Sequence, residues 1–294
     1  MTIRITASRH TAFYSPLIST MAAGFLEQHG LKYDYNVLAP GETAAGLIRD
    51  GRVDVMQSAP STNWAKMDKG ETGFPLHFAL IFQRDGFFLV GRDLIGESFN
   101  WKELEGKTLL ADHGSQPLAM LRYAIHYNGV DWRKIDVVNA GSAEEMVAAF
   151  GAGKGDFVHL QAPAPQVLEQ AGAGWTAASV GASMPPNAFS TLCASREFIA
   201  GPMFRIFANA FSEAKEWVRQ TSAEEIAARE ASFFPGIDEA VLASAIAQYK
   251  SIGAWHGGIE IPRDLYEQSL NVFESTGAIK TRHPYDDVCF PVML

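Results

Sequence analysis

Apolar positions along the first two-thirds of the chain follow two rhythms in turn. Alternating or short continuous apolar runs occur at Ile3-Arg-Ile-Thr-Ala7, Tyr33-Asp-Tyr-Asn-Val-Leu38 and Val53-Asp-Val-Met56, while residues 14–29 and 43–50 repeat apolar residues every three or four places. Period two suits one face of a strand and period 3.6 one face of a helix, so the alternation predicts βαβ units and a mostly parallel sheet. A second series follows, with strands at Gly86-Phe-Phe-Leu-Val90, Thr108-Leu-Leu-Ala111, Ile135-Asp-Val-Val-Asn139 and Phe157-Val-His-Leu160, and helices over residues 117–128 and 142–150. From residue 200 the rhythm is helical alone, over residues 203–220, 223–233, 239–252 and 263–275. Ser142 and Glu145 form a capping box, and Pro60 and Pro117 are expected at first helical positions, where a missing N–H costs nothing. Without repeats, low-complexity runs or loose linkers, the expectation is two α/β lobes joined by crossing strands and followed by a helical tail.

Composition narrows the function. Apolar residues make up 47% of the chain and charged residues 19%, enough to give each lobe a core. Acidic residues outnumber basic ones by 33 to 24, for a net charge of −9, so a cationic face for nucleic acid is not expected. No run of about 18 apolar residues is present, so no direct membrane insertion is expected. The start, Met1-Thr-Ile-Arg-Ile-Thr6, has no basic stretch leading into an apolar run and a cleavage site. The chain as it stands therefore reads as cytoplasmic, or as periplasmic if a leader was removed. Cys193 and Cys289, without metal or redox spacing, are expected as buried free thiols.

Four stretches share their order and spacing with a known family. Ala23-Gly-Phe-Leu-Glu-Gln-His-Gly-Leu31 leads into a strand; Gly46-Leu-Ile-Arg-Asp-Gly-Arg-Val-Asp54 follows; Leu104-Glu-Gly-Lys-Thr-Leu-Leu-Ala-Asp-His-Gly-Ser115 precedes a helix and Gly129-Val-Asp131; and Gly277-Ala-Ile-Lys280 lies near the end. In these the chain resembles the type II periplasmic solute-binding proteins, particularly the NMT1/THI5-like group that binds pyrimidine precursors, sulfonates and related molecules for ABC transporters. The resemblance implies lobe one from residues 1–85 plus 192–294 and lobe two from 86–191, with crossing segments near residues 84–91 and 189–193. It also implies a small-molecule ligand between the lobes and an ABC permease as partner.

In open parallel sheets ligands bind beyond the carboxyl ends of the strands. Six loops meet that description: residues 8–15, 39–43, 57–64, 112–117, 139–142 and 159–163. Helix starts behind Ser58, Ser115 and Ser142 offer backbone N–H groups to a carboxylate, sulfonate or phosphate, and Arg9 offers a charged fork. His10, Phe13, Tyr14, Trp64 and Phe189 are candidates to stack on a planar ring, although large aromatics are as often core. Docking on lobe one through residues 8–15 and the turn 58–64, with Ser58, Ser61 and Trp64, is then expected to be followed by closure of lobe two, with His113, Ser115 and Gln161 completing the hydrogen bonds; Gln116 and Ser142 are further ligand-binding candidates. The expected ligand is small, planar, and polar or anionic.

Other chemistries find less support. Gly151-Ala-Gly-Lys-Gly-Asp156 lacks the Ser or Thr after lysine and the earlier glycine of a phosphate-binding loop, and reads as a helix-ending turn. The histidines show no metal-ligand spacing, His283-Pro-Tyr-Asp-Asp287 reads as a solvated turn, and neither metal nor cofactor is expected. Nucleophile motifs are missing too. The alternative to a binding protein is an enzyme on the same fold, a decarboxylase, desulfinase or pyrimidine synthase, using His10, His113 or His159 as general acid or base.

Overall fold

The computed structural model describes residues 1–94 and 99–292. Two five-stranded sheets carry the fold. The first joins β1 (Thr2–Ala7), β2 (Lys32–Val37), β3 (Val55–Ser58), β4 (Leu76–Phe82) and β10 (Ser190–Ala194) in the order β2-β1-β3-β10-β4. The second joins β5 (Phe87–Gly91), β6 (Thr108–Leu110), β7 (Asp136–Val138), β8 (Phe157–Gln161) and β9 (Trp175–Ser179) in the order β7-β6-β8-β5-β9. β1 runs parallel to β2 and β3, and β6 parallel to β7 and β8. One strand in each sheet is antiparallel to its neighbours, β10 in the first and β5 in the second. Each of these is the strand that has just arrived from the other lobe, so the chain crosses twice, after β4 and after β9. This is the two-lobed, mostly parallel architecture expected from the sequence.

β4 and β10 were not separable as strands by alternation. Leu76-His-Phe-Ala-Leu-Ile-Phe82 is buried at every position, as is Ser190-Thr-Leu-Cys-Ala194, because helices cover both faces and no period of two survives. Amphipathic helices were easier to read. In α9 (Pro202–Gln220) Phe204, Phe207, Ala208, Phe211, Ala214, Lys215 and Val218 are buried, three or four residues apart. This helix packs on α1 (Ser15–Ala22) and α2 (Phe25–Gln28), and α10 (Ala223–Glu230) packs on α1 and on α11 (Glu239–Ser251). The helical region is therefore built into lobe one rather than hung from it. It also reaches lobe two: α12 (Arg263–Ser275) touches α5 (Ser115–Tyr127), where Gln268 Nε2 donates to Tyr123 Oη at 3.1 Å.

Several local expectations need correction. Residues 14–29 break into two helices at Gly24, whose φ of 81° lies in the left-handed region. Pro117 occupies the third position of α5, not the first, whereas Pro60 does begin a short 3₁₀ turn. The segment 283–287 is not a solvated turn. His283 is buried with Nε2 3.2 Å from Asp68 Oδ1, and Tyr285 Oη donates to Ile261 O at 2.8 Å as α13 (Tyr285–Val288) docks on β4. Cys193 and Cys289 are buried free thiols. Among the described residues no helix is long and apolar enough to cross a membrane.

Candidate functional site

The carboxyl ends of both sheets face each other across a cleft of two chambers that meet at Arg9, Phe87 and Gln161. The larger, about 930 Å³, lies between the loop after β1, the start of α6 (Ala143–Gly151), the end of β8 and the segment 233–237. Its walls are mainly apolar: Phe87, Met146, Val147 and Val167 from lobe two face Phe233, Phe234 and Ile237. The smaller, about 220 Å³, is more polar, with Ser8, Gln57, Ser58, Thr62, Gln116 and Ser190 beside Tyr14 and Phe189. All six predicted loops contribute to one chamber or the other.

Arg9 is the central charged group. Its Nη1 donates to Asp112 Oδ2 at 2.5 Å, joining the loop after β1 to the loop after β6 and so lobe one to lobe two. Burial works against both charges, but the hydrogen bond and mutual attraction outweigh it, raising the arginine above its ordinary value and holding the carboxyl below its own. Asp112 Oδ1 also accepts from Gly114 N at 2.7 Å, at the N-cap of α5. A further bond crosses between the lobes, Thr11 Oγ1 donating to Ala162 O at 2.7 Å, and Gln116 Nε2 donates to Phe189 O at 2.7 Å beside the returning crossing.

The three histidines differ sharply. His10 has both ring nitrogens engaged, Nε2 with Phe233 O at 2.6 Å and Nδ1 with Tyr35 Oη at 3.0 Å, and its ring packs 4.6 Å from Phe234. A carbonyl only accepts, so Nε2 carries the proton and Nδ1 accepts from the tyrosine. Burial lowers its affinity for a second proton. His113 is exposed, holds Ala111 O through Nδ1 at 2.8 Å and lines neither chamber. His159 lines the larger chamber, fully buried and stacked on Phe87 at 4.3 Å, and neither ring nitrogen has a hydrogen-bond partner within the protein. Burial pushes its pKa down to about 3, so it is a neutral imidazole with one donor and one acceptor free.

Of the other sequence candidates, Arg9, His10, Tyr14, Ser58, Gln116, Ser142, Gln161 and Phe189 line the chambers. Trp64 does not: it is fully buried, edge-on to Tyr266 and Phe273 with centroids 5.7 and 5.3 Å away. Phe13 is also core, its ring seated where a side chain on Gly86 would lie 2.2 Å away. Ser61 and Ser115 line neither chamber, and Ser142 spends its hydroxyl on Glu145 N in the capping box. Sequence reasoning missed Asp112, Glu144, Phe87 and the Phe233-Phe234-Pro235 wall. The wall follows a helical stretch and carries no strand-end signal, whereas Asp112 stood within a predicted loop and could have been paired with Arg9 by charge alone.

The fold and the interlobe cleft define the class: this is the two-lobed architecture of type II periplasmic binding proteins, and the resemblance read from the sequence is borne out. No family model matches the chain. The Bacillus subtilis (strain 168) protein named "Putative binding protein YtlA" is 26% identical over 291 residues, spanning 97% of this chain and 86% of that protein. The ligand-binding component of an ABC-type import system from Staphylococcus aureus, solved with zinc bound, superposes with a TM-score of 0.75 at 16% identity, covering 99% of this chain and 97% of its own. The periplasmic aliphatic sulphonate binding protein SsuA from Escherichia coli superposes with a TM-score of 0.72 at 14% identity, covering 100% and 93%.

Proposed function

We propose that the chain is the substrate-binding component of an ABC-type importer, taking a small organic molecule into the cleft and presenting the closed form to a membrane permease. The observation that carries this reading is the cleft itself: all six strand-end loops converge on it, and the bonds from Arg9 and Thr11 span it from lobe to lobe. Such bonds favour one relative position of the lobes, which is what a closing binding protein needs. The relatives' names support the same role. Lobe one is taken as residues 1–85 plus 192–294 and lobe two as 86–191, with the site in lobe two's contact with the loop after β1. A permease partner of this kind calls for a working location in the periplasm.

A thermal-shift screen of pyrimidines, aromatic acids, amides, sulfonamides and sulfonates tests the reading, with every hit recovered and weighed by mass spectrometry. A compound that raises the melting temperature and returns intact supports it, because a ligand bound only by the folded state stabilises that state. Conversion of the hit would make the protein an enzyme instead, with His159 the group to mutate first.

A further inference from the structure

The cleft has three features that ordinarily receive an anion: a cationic fork and the N-termini of two helices. Each has a carboxylate of the chain itself beside it. Arg9 donates through Nη1 to Asp112 Oδ2, and the same carboxylate accepts from Gly114 N through Oδ1, one residue before α5. At α6 the Glu145 carboxylate accepts from Ser142 N at 2.6 Å in the capping box, which sets a negative charge at the N-terminus that faces the larger chamber. Glu144 lies on that chamber's wall, its carboxyl held below the ordinary value by hydrogen bonds at the helix start, with a smaller contribution from Arg9. In the smaller chamber Glu42 is paired with Arg52 at 2.6 Å. Among the described residues lining the two chambers Arg9 is the one cation, set against Asp112, Glu144 and Glu42.

Beyond the guanidinium N–H groups of Arg9 that Asp112 does not engage, what remains unpaired is uncharged. His159 presents one donor and one acceptor at the buried end of the larger chamber, and Phe87 offers an aromatic surface beside it. Buried nitrogens left without partners are costly, so a ligand that supplies a matching donor and acceptor gains specifically there. The remaining wall is apolar.

We infer that the cleft rejects anions and selects an uncharged molecule with an apolar body and a donor–acceptor edge, and that Asp112 is the built-in counter-anion that sets this choice. This rests on the reading of the cleft as the ligand site. It also separates the chain from a relative such as the aliphatic sulphonate binding protein, whose named ligand is an anion.

Benzenesulfonamide and benzenesulfonate share a body and differ in charge at neutral pH, which makes them a suitable probe pair. Calorimetric titrations of the wild type, Asp112→Asn and Glu144→Gln with both compounds are the test. Asp112→Asn keeps the shape and an oxygen for Gly114 N while releasing Arg9. The expected result is a gain of at least about tenfold in benzenesulfonate affinity over wild type, since one like charge beside the site has been removed, with little change for benzenesulfonamide. Glu144→Gln, on the exposed start of α6, is expected to shift the same preference by less, and it carries the test if Asp112→Asn fails to fold. The inference is overturned if wild type takes benzenesulfonate as tightly as the Asn variant does, or if neither variant gains affinity for it. Wild-type sulfonate binding abolished by Arg9→Gln would overturn the selectivity while leaving the cleft as the ligand site. A screen in which no compound of any charge shifts melting would remove the ligand-site reading itself.

Discussion

Trp64 and His159 show how far residue type carries an argument about a cleft. A tryptophan near a strand end suggested stacking on a ligand, yet its neighbours Tyr266 and Phe273 make it part of the core. Trp64→Ala is expected to cost about 3–5 kcal/mol of stability by opening a cavity, measured by urea unfolding, while the ligand's affinity for the folded variant stays within about twofold. His159 behaves in the opposite way. His159→Phe keeps the stacked ring beside Phe87 and removes two unpartnered polar atoms, so the unfolding midpoint is expected to hold or rise. Ligand affinity, read by calorimetry with a hit from the screen, is expected to fall by about tenfold or more, the cost of a lost buried hydrogen bond. An unchanged affinity would show that the ligand does not reach His159. At this scale the sequence revealed which loops matter but not how deep each side chain sits: Arg9 and Gln161 reach the chambers, while Phe13 and Trp64 from equivalent loops turn into the core. Depth depends on partners such as Tyr266 and Gly86, some 200 and 70 residues away along the chain.

Among the elements, the crossings between lobes carry the most specific design. After β4 the chain passes Asp85 and Gly86 into β5, and after β9 it returns past Gly181. Gly181 admits no side chain, since a Cβ would fall 2.2 Å from Asp85 O, so the two crossings lie against each other. α11 ties them to both lobes through Tyr249, whose Oη donates to Gly86 O at 2.9 Å and accepts from Ala162 N at 3.0 Å. Tyr249→Phe leaves a buried carbonyl and a buried N–H without partners, at an expected loss of about 1–3 kcal/mol for each group left unsatisfied. Denaturant unfolding measures this, and a loss below about 0.5 kcal/mol would mean that water replaces the hydroxyl. The same elements mark what periodicity can read. α12 matches its predicted range of 263–275 because one face is wet and the other dry. β4 lacked that contrast, and β9, half-buried throughout, carried no alternation either.

For the molecule as a whole, buried titratable groups predict how stability follows pH. Burial raises Asp85 and Glu230 to about 8 from ordinary values of 3.8 and 4.5. The proton on Glu230 has a structural signature: Ser15 Oγ lies 2.8 Å from both Glu230 Oε2 and Ala12 O. The serine has one proton and the carbonyl can only accept, so the second bond needs a proton from the acid. Burial lowers His77 and His159 to about 3 and Lys215 to about 7. Stability rises with pH wherever the unfolded chain binds more protons than the folded one. The histidines therefore add stability as pH climbs from about 3 to 6.5, and Lys215 does so from about 7 to 10.5. The two carboxyls act oppositely: their contribution is fully present below the unfolded values near 4 and is lost as pH rises through 8. Glu230→Gln keeps the shape and removes one of those protons. The difference in unfolding free energy, variant minus wild type, is expected to grow by up to about 1.4 kcal/mol per pH unit between about 4.5 and 8 and to level off above. Groups common to both chains cancel in that difference, so a flat profile across the window would show that Glu230 is ionised in the fold and that its proton is not shared with Ser15.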